Sequence, residues 1–485
     1  MLLKRFYDTK LAQASYLIGC QRTGEALVVD PSRDAEQYVA AAQAEGLRVT
    51  HVTETHIHAD YVSGSRELAA RAGARLYLSD EGGPDWTYAF AKGDGAVLLK
   101  DGDVVRVGNI RVEVLHAPGH TPEHLAFLVT DAASTEAPMG ICTGDFVFVG
   151  DVGRPDLLER AAGMAGTMEA GARRLFRSLQ RFKALPDYLQ VWPGHGAGSA
   201  CGKALGAVPS STVGYERFAN WGLTATDEEE FVRLVLEGQP EPPKYFARMK
   251  RVNREGPRVL GGFAKPGRLS ASRLPDLLKD GALVVDTRRT ADYAQGHVPG
   301  TVNVPLSSSF PTYAGSVLPY ERPLYLLVDE AREGAVDEAV RALASIGFDD
   351  VGGSFGSDAL DDWRRGGRAL GTVPQTTARA LAARLEAGEV LVVDVRNRTE
   401  WDAGHLQGAR HVPLATFTDH LDELPKDRPL VLQCETGSRS AVAASVLRAR
   451  GITDVVNATG GVAAWQKAGL PLEQETPAGP LAGVA

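Results

Sequence analysis

Short apolar runs alternate with polar breakers along the first half of the chain. Residues 26–29, 49–53, 112–115 and 125–129 are Val- and Leu-rich and bounded by turn residues, so they read as strands. Residues 34–44 and 65–72 place their apolar positions at helical spacing. Strands interleaved with helices in this way suit an αββα sandwich, two sheets covered by helices. Residues 227–236 form an amphipathic pattern that opens on acidic residues, as helix N-termini favour. Gly238, Pro240, Pro242 and Pro243 break it, and a second breaker cluster from Gly256-Pro257 to Pro266-Gly267 marks a domain boundary.

Beyond that boundary the chain repeats itself. Val284-Val285-Asp286-Thr287-Arg288 returns as Val392-Val393-Asp394-Val395-Arg396, Gly296-His297 as Gly404-His405, and Val304-Pro305-Leu306 as Val412-Pro413-Leu414. Each unit alternates strand and helix, which predicts a parallel sheet with helices on both faces. The two units are chemically unequal. In the second, the strand 429–433 ends in Cys434-Glu435-Thr436-Gly437-Ser438-Arg439-Ser440 and opens a helix over 441–450. A cysteine there meets several free backbone N–H groups and the positive end of the helix dipole, which stabilise a thiolate or persulfide anion. Gly437 lets the loop curl, and Arg439 adds positive charge. In the first unit the aligned residues are Val328-Asp329-Glu330-Ala331-Arg332-Glu333-Gly334, with valine in the nucleophile's place and carboxylates around it. Both units resemble rhodanese modules, and the second carries the Cys-x-x-Gly-x-Arg loop of active ones. The first is expected to be inactive and to serve structure or docking. The repeated Gly-His pair is expected to fix a turn.

The remaining chemistry lies upstream. His56-Ile57-His58-Ala59-Asp60-Tyr61 puts two imidazoles and a carboxylate on one turn beyond the run 49–53. His120 of Pro118-Gly119-His120 and Asp145 of Thr143-Gly144-Asp145 each follow a strand-like run of their own, and His195 ends Trp192-Pro193-Gly194-His195. Histidine with carboxylate suits zinc and iron, and two histidines with one carboxylate and open positions suit non-haem Fe(II). This ligand order resembles that of the metallo-β-lactamase fold. The resemblance assigns one metal to His56, His120 and Asp145, with His58 beside them. A second metal would need Asp60, His195 and a histidine where Tyr61 stands, and a neutral phenol of pKa about 10 is a poor replacement. One metal per chain is therefore expected, with His58, Asp60, Tyr61 and His195 around it.

Two further segments narrow the resemblance. Thr143-Gly144-Asp145 with Gly153-Arg154-Pro155-Asp156, and Gly194-His195-Gly196 with Cys201-Gly202-Lys203, resemble persulfide dioxygenases, also called sulfur dioxygenases. That family implies Fe(II) and oxidation of the outer sulfur of a small-thiol persulfide, such as glutathione persulfide, by O2 to sulfite. Arg154 becomes a candidate substrate anchor, with a loop salt bridge as its structural alternative. Cys201 becomes a candidate for handling a persulfide near the metal, against an ordinary packed thiol. Cys20 and Cys142 fall in strand-like runs and read as small core residues.

The expected division is 1–262 for the metal domain with a helical extension, 268–370 for the inactive repeat, 374–475 for the active repeat, and a flexible tail over 476–485. The architecture resembles fusions of a persulfide dioxygenase with an inactive and then an active rhodanese, implying sulfide detoxification with sulfite and thiosulfate as sulfur partners. A glyoxalase II-like zinc thioester hydrolase is the alternative. A net charge of −9 argues against a nucleic-acid partner or an anionic membrane surface. No apolar run approaches the roughly 18 residues of a membrane span. Neither a secretory apolar region nor a cysteine framework is present, which suits a reducing cytoplasm. Residues leave open the thiol carrier, the direction of sulfur transfer and whether a homo-oligomer forms.

Overall fold

A computed structural model describes residues 1–160 and 166–474, so the expected tail lies outside the described residues. The chain divides into two compact units: residues 1–264 with 341–349, and residues 265–340 with 350 onward.

The first unit holds two six-stranded sheets. Strands β1 (Leu2–Asp8), β2 (Gln13–Cys20), β3 (Glu25–Val29), β4 (Arg48–Thr53), β5 (Arg75–Ser79) and β6 (Val97–Leu99) lie in sequence order. The pairing is antiparallel up to β3 and parallel after it. The second sheet runs β12-β11-β10-β9-β8-β7 through β7 (Val104–Val107), β8 (Ile110–His116), β9 (Leu125–Asp131), β10 (Gly140–Gly144), β11 (Gln190–Pro193) and β12 (Ser211–Thr212). Alternation along the strands splits the apolar residues between two faces. Tyr16, Ile18, Leu27 and Val29 of one sheet meet Val112, Val114, Phe127 and Trp192 of the other in a shared core. On the outer faces, Tyr38 and Leu68 from the helices Ala35–Ala44 and Ser65–Ala72 cover the first sheet. Leu175, Leu179 and Phe182 of Thr167–Lys183 cover the second, with Phe231 and Val235 of Glu228–Leu236. The αββα sandwich expected from the pattern is formed. The acidic helix start also has a local cause, since the Asp227 side chain accepts from the Glu230 N–H at 2.8 Å.

In the second unit each repeat builds its own sheet. The first runs β14-β13-β15-β16 through β13 (Leu283–Asp286), β14 (Val302–Asn303), β15 (Leu324–Leu327) and β16 (Val351–Phe355). The second runs β17-β21-β20-β18-β19 through β17 (Gln375–Thr376), β18 (Leu391–Asp394), β19 (Arg410–His411), β20 (Leu430–Gln433) and β21 (Val455–Ala458). Every pairing in both is parallel, as expected. The two Gly-His turns are built alike. His297 Nδ1 donates to the Tyr293 carbonyl at 3.0 Å and its ring stacks on Tyr293. His405 does the same with Trp401 at 3.1 Å.

Candidate metal centre and cysteine loop

Four strand ends of the sandwich bring the histidines and carboxylates together. His56, His58 and Asp60 follow β4, His120 follows β8, Asp145 directly follows β10, and His195 follows β11. Gly144 allows the close approach. Its φ is +49°, and a Cβ there would stand 2.4 Å from Thr55 Oγ1. Asp145 Oδ2 lies 3.9 Å from His56 Nε2 and 3.6 Å from His120 Nε2, and all three residues are buried. His120 Nδ1 donates to the Arg154 carbonyl at 2.9 Å, which turns the bare Nε2 toward the carboxylate.

These donors fit a divalent transition ion. His56 Nε2 and Asp145 Oδ2 are buried without a hydrogen-bond partner, an arrangement that is costly unless something else fills the space between them. Burial, together with the neighbouring imidazoles, pushes His56 well below the ordinary histidine range, and burial and then Lys250 do the same to His120. Both rings are therefore neutral, the form that binds metal. Burial raises Asp145 above the ordinary carboxylate range, with His195 pulling against it and Asp60 adding to it. A bound cation reverses that push.

His58 takes a different role. Burial opposes its charge, but Asp30, with Oδ1 at 3.1 Å, and then Glu54 and Asp60 raise it to about 9. Its Nε2 is shared between Asp30 and the Tyr61 hydroxyl at 3.0 Å. Tyr61 is thus turned to His58 and stays a neutral phenol, its pKa pushed up by burial and by Asp30. Asp60 and His195 approach to 3.2 Å, and Cys201 joins them: the ligand atoms of the three lie within 4.8 Å of one another. Both Asp60 oxygens lack a hydrogen-bond donor. Burial, then Asp60 and Asp145, push the Cys201 thiol well up. Cys201 thus stands near the centre as expected for a persulfide-handling candidate, and its grouping with Asp60 and His195 is a feature of the fold alone.

Arg154, considered as a substrate anchor, is instead fully enclosed at 0% exposure. Its guanidinium grips Asp156 at 2.8 and 2.7 Å and donates to the carbonyls of Ala200 at 3.1 Å and Pro240 at 2.7 Å. Its geometry matches the structural alternative, a salt bridge holding the loop whose carbonyl orients His120.

Several contributors were missed in the sequence. Asp30 accepts from Thr55 N–H at 2.6 Å and Thr55 Oγ1 at 2.9 Å, from a backbone with φ of +52°. Glu123 accepts from Ile57 N–H at 2.8 Å. The Asp145 N–H donates to His124 Nε2 at 3.1 Å, and burial lowers His124 to about 3. Lys250 and Asn253 come from the helix Tyr245–Glu255. A polar residue closing a strand, or sitting in a helix's apolar stripe, was the available signal.

In the second unit, Cys434 sits between β20 and a helix that begins at Ser438, three residues before its expected start. The Gly437 N–H donates to Cys434 Sγ at 3.1 Å, and the Ser440 hydroxyl, given no role from sequence, lies at 3.5 Å. Gly437 has φ of +97°, and a Cβ would lie 3.2 Å from both Ala458 O and Gly460 N. Arg439 is held by Glu400 through two bonds of 2.7 and 2.6 Å, so its charge is shared with a carboxylate. In the first repeat Val328 is buried, and Glu330 pairs with Arg268 at 2.7 Å.

Comparison with known proteins agrees with the fold of both units. Residues 8–195 match the Metallo-beta-lactamase superfamily, and residues 270–352 and 377–468 each match the Rhodanese-like domain. A crystal structure of a metallo-beta-lactamase from Staphylococcus aureus subsp. aureus COL is 41% identical, covering 73% of this chain and 99% of that one with a TM-score of 0.65. The mitochondrial persulfide dioxygenase ETHE1 of Bos taurus is 28% identical over 48% of this chain and 80% of that protein. A hydroxyacylglutathione hydrolase of Rhodospirillum rubrum (strain ATCC 11170) is 31% identical over 37% of this chain and 60% of that protein. The chain spans 60% of the length of several curated relatives it matches. The chain therefore belongs to the metallo-beta-lactamase superfamily and carries two rhodanese-like domains behind that fold.

Proposed function

We propose that this protein is an Fe(II)-dependent persulfide dioxygenase coupled to a sulfurtransferase. One persulfide, one O2 and one water give the free thiol, sulfite and two protons. The observation that carries the reading is the convergence of two neutral imidazoles and one carboxylate, with unpartnered ligand atoms, in a chain that also builds a cradle for a sulfur anion. His56, His120 and Asp145 would hold the iron, which supplies the electron-transfer chemistry with O2 that side chains lack. Arg154 fixes the His120 tautomer through its carbonyl, and His124 receives the Asp145 N–H, so the donor set is oriented before any ligand arrives. Cys434 carries sulfane sulfur as a persulfide, with the Gly437 N–H and the Ser440 hydroxyl directed at its sulfur. Sulfite attacking the outer sulfur releases thiosulfate and restores the thiolate. The repeat without a cysteine is structural, and the division 1–262, 268–370 and 374–475 follows these roles.

The Asp60–His195–Cys201 group favours one second reading, a two-metal thioester hydrolase in which Cys201 supplies the donor that Tyr61 does not. The ETHE1 similarity supports the first reading, and the hydroxyacylglutathione hydrolase similarity supports the second. Metal analysis after anaerobic purification, with an oxygen electrode and glutathione persulfide, tests both. One iron per chain, with persulfide-dependent oxygen uptake that His120→Ala abolishes, is the expected result. Two zinc ions with fast hydrolysis of S-lactoylglutathione would replace it with the hydrolase.

A further inference from the structure

The helix Tyr245–Glu255 presents a buried face of Tyr245, Phe246, Met249, Lys250 and Asn253. Asn253 clamps the loop that carries the metal donors. It donates to the carbonyls of His58 at 2.9 Å and Tyr61 at 2.7 Å and accepts from the Ser63 N–H at 2.9 Å. Lys250 lies three residues earlier, on the same side of the helix and one turn nearer its N-terminus. Its side chain is 5% exposed, and its Nζ has no hydrogen-bond partner and no ion pair among the described residues. The amine lies over the Trp86 ring, 4.8 Å to the centroid. Trp86 also lines a surface pocket of about 300 Å³ shared with Pro122, Arg174 and Gly119, the residue before His120. Burial lowers the Lys250 amine to about 8, against the pull of Glu123, Cys201 and Asp145, so it stays largely charged near neutral pH, and its charge helps to keep His56 and His120 neutral.

A buried ammonium without a partner is among the costlier things a fold can contain, and methionine would fill the same stripe without that cost. With Arg154 spent on Asp156, the cation required by an anionic substrate has to come from elsewhere. We propose that Lys250 binds an anionic group of the small-thiol substrate beside the metal donors. This rests on the persulfide reading of the site. Two groups share the chemistry: a carboxylate on the thiol carrier, or the ionised outer sulfur itself. Trp86 serves as the apolar wall against which the ammonium is held.

Lys250→Met keeps the stem length and removes the charge, and Lys250→Gln is a second variant that keeps polarity. Full-length proteins are compared for metal content, melting temperature and steady-state oxygen uptake, using glutathione persulfide and the persulfide of glutathione diethyl ester. Both variants should hold the wild-type metal content, with kcat within a few-fold. KM for the acid should rise about ten- to a hundred-fold, the loss expected for one hydrogen bond to a charged group. Insensitivity of the ester to the substitution assigns the contact to carboxylate, and equal loss for both substrates assigns it to the sulfur. Unchanged KM, or loss of metal in place of a KM effect, overturns the proposal while leaving the dioxygenase reading intact. If the wild type consumes no oxygen, that reading fails instead. Calorimetric titration with glutathione and with sulfite then decides on Lys250, because equal binding to wild type and variant would reject it.

Discussion

Replacing Arg154 with methionine separates a structural cation from a substrate anchor. The guanidinium makes four contacts of 2.7 to 3.1 Å, two of them to Asp156, and both side chains are fully enclosed. Breaking a buried pair from one side strands the other charge, at a cost of about 3–5 kcal/mol. One compensation is in place: Arg160 reaches Asp156 Oδ2 at 3.2 Å from a position 41% exposed, and an exposed partner of that kind offsets up to about 1 kcal/mol. The net expectation is a loss of about 2–4 kcal/mol in the first unit. It should be read by urea unfolding monitored through release of bound metal, since the donors all lie in that unit. The double variant Arg154→Met with Asp156→Leu removes both charges and should recover at least half of the loss, because the penalty comes from the stranded carboxylate more than from the missing pair. A folded Arg154→Met protein within about 0.5 kcal/mol of wild type, but with a raised KM, would refute this reasoning and return Arg154 to the substrate.

Cys434→Ser should eliminate sulfur exchange among thiosulfate, sulfite and thiols while oxygen uptake continues, because an alcohol cannot form a persulfide. Chromatography of sulfite and thiosulfate reads the result, and undiminished transfer would remove Cys434 as the carrier. Gly437→Ala forces a Cβ onto a backbone with φ of +97° and should cut sulfur transfer at least about tenfold. Wild-type rates in that variant would show that the loop tolerates the strain. The neutral His297 ring carries a pH signature: burial, against the pull of the Tyr293 carbonyl, holds it at about 4 in place of the ordinary 6.5. The unfolded chain therefore takes up the proton first, so stability is complete above about pH 6.5 and falls as pH drops toward 4. Urea midpoints of the second unit should follow that fall, and His297→Gln should flatten it.

The site residues His56, His58, Asp60, His120, Asp145 and His195 were legible because each follows a strand, so the period-two pattern locates the strand and the next few residues locate the reactive side chain. The same locality made the rhodanese-like repeats visible, along with the contrast between Cys434 and Val328. Arg154 was not decided by its neighbours. Asp156 two residues on was visible, but the carbonyls of Ala200 and Pro240 that complete its cage are distant in sequence and met only on folding. Cys201 joined Asp60 and His195 for the same reason, and Tyr61 was recognised as a poor ligand without any sign that its hydroxyl belonged to His58. Order along the chain, periodicity and residue chemistry thus determined the sandwich, the repeats and the set of reactive side chains. Which of them face one another, which charge is satisfied and which is left without a partner, as at Lys250, was decided by tertiary structure alone. Burial and pairing depend on residues brought together from distant positions, 46 and 86 apart for Arg154 with Ala200 and Pro240, and no local pattern encodes such a meeting.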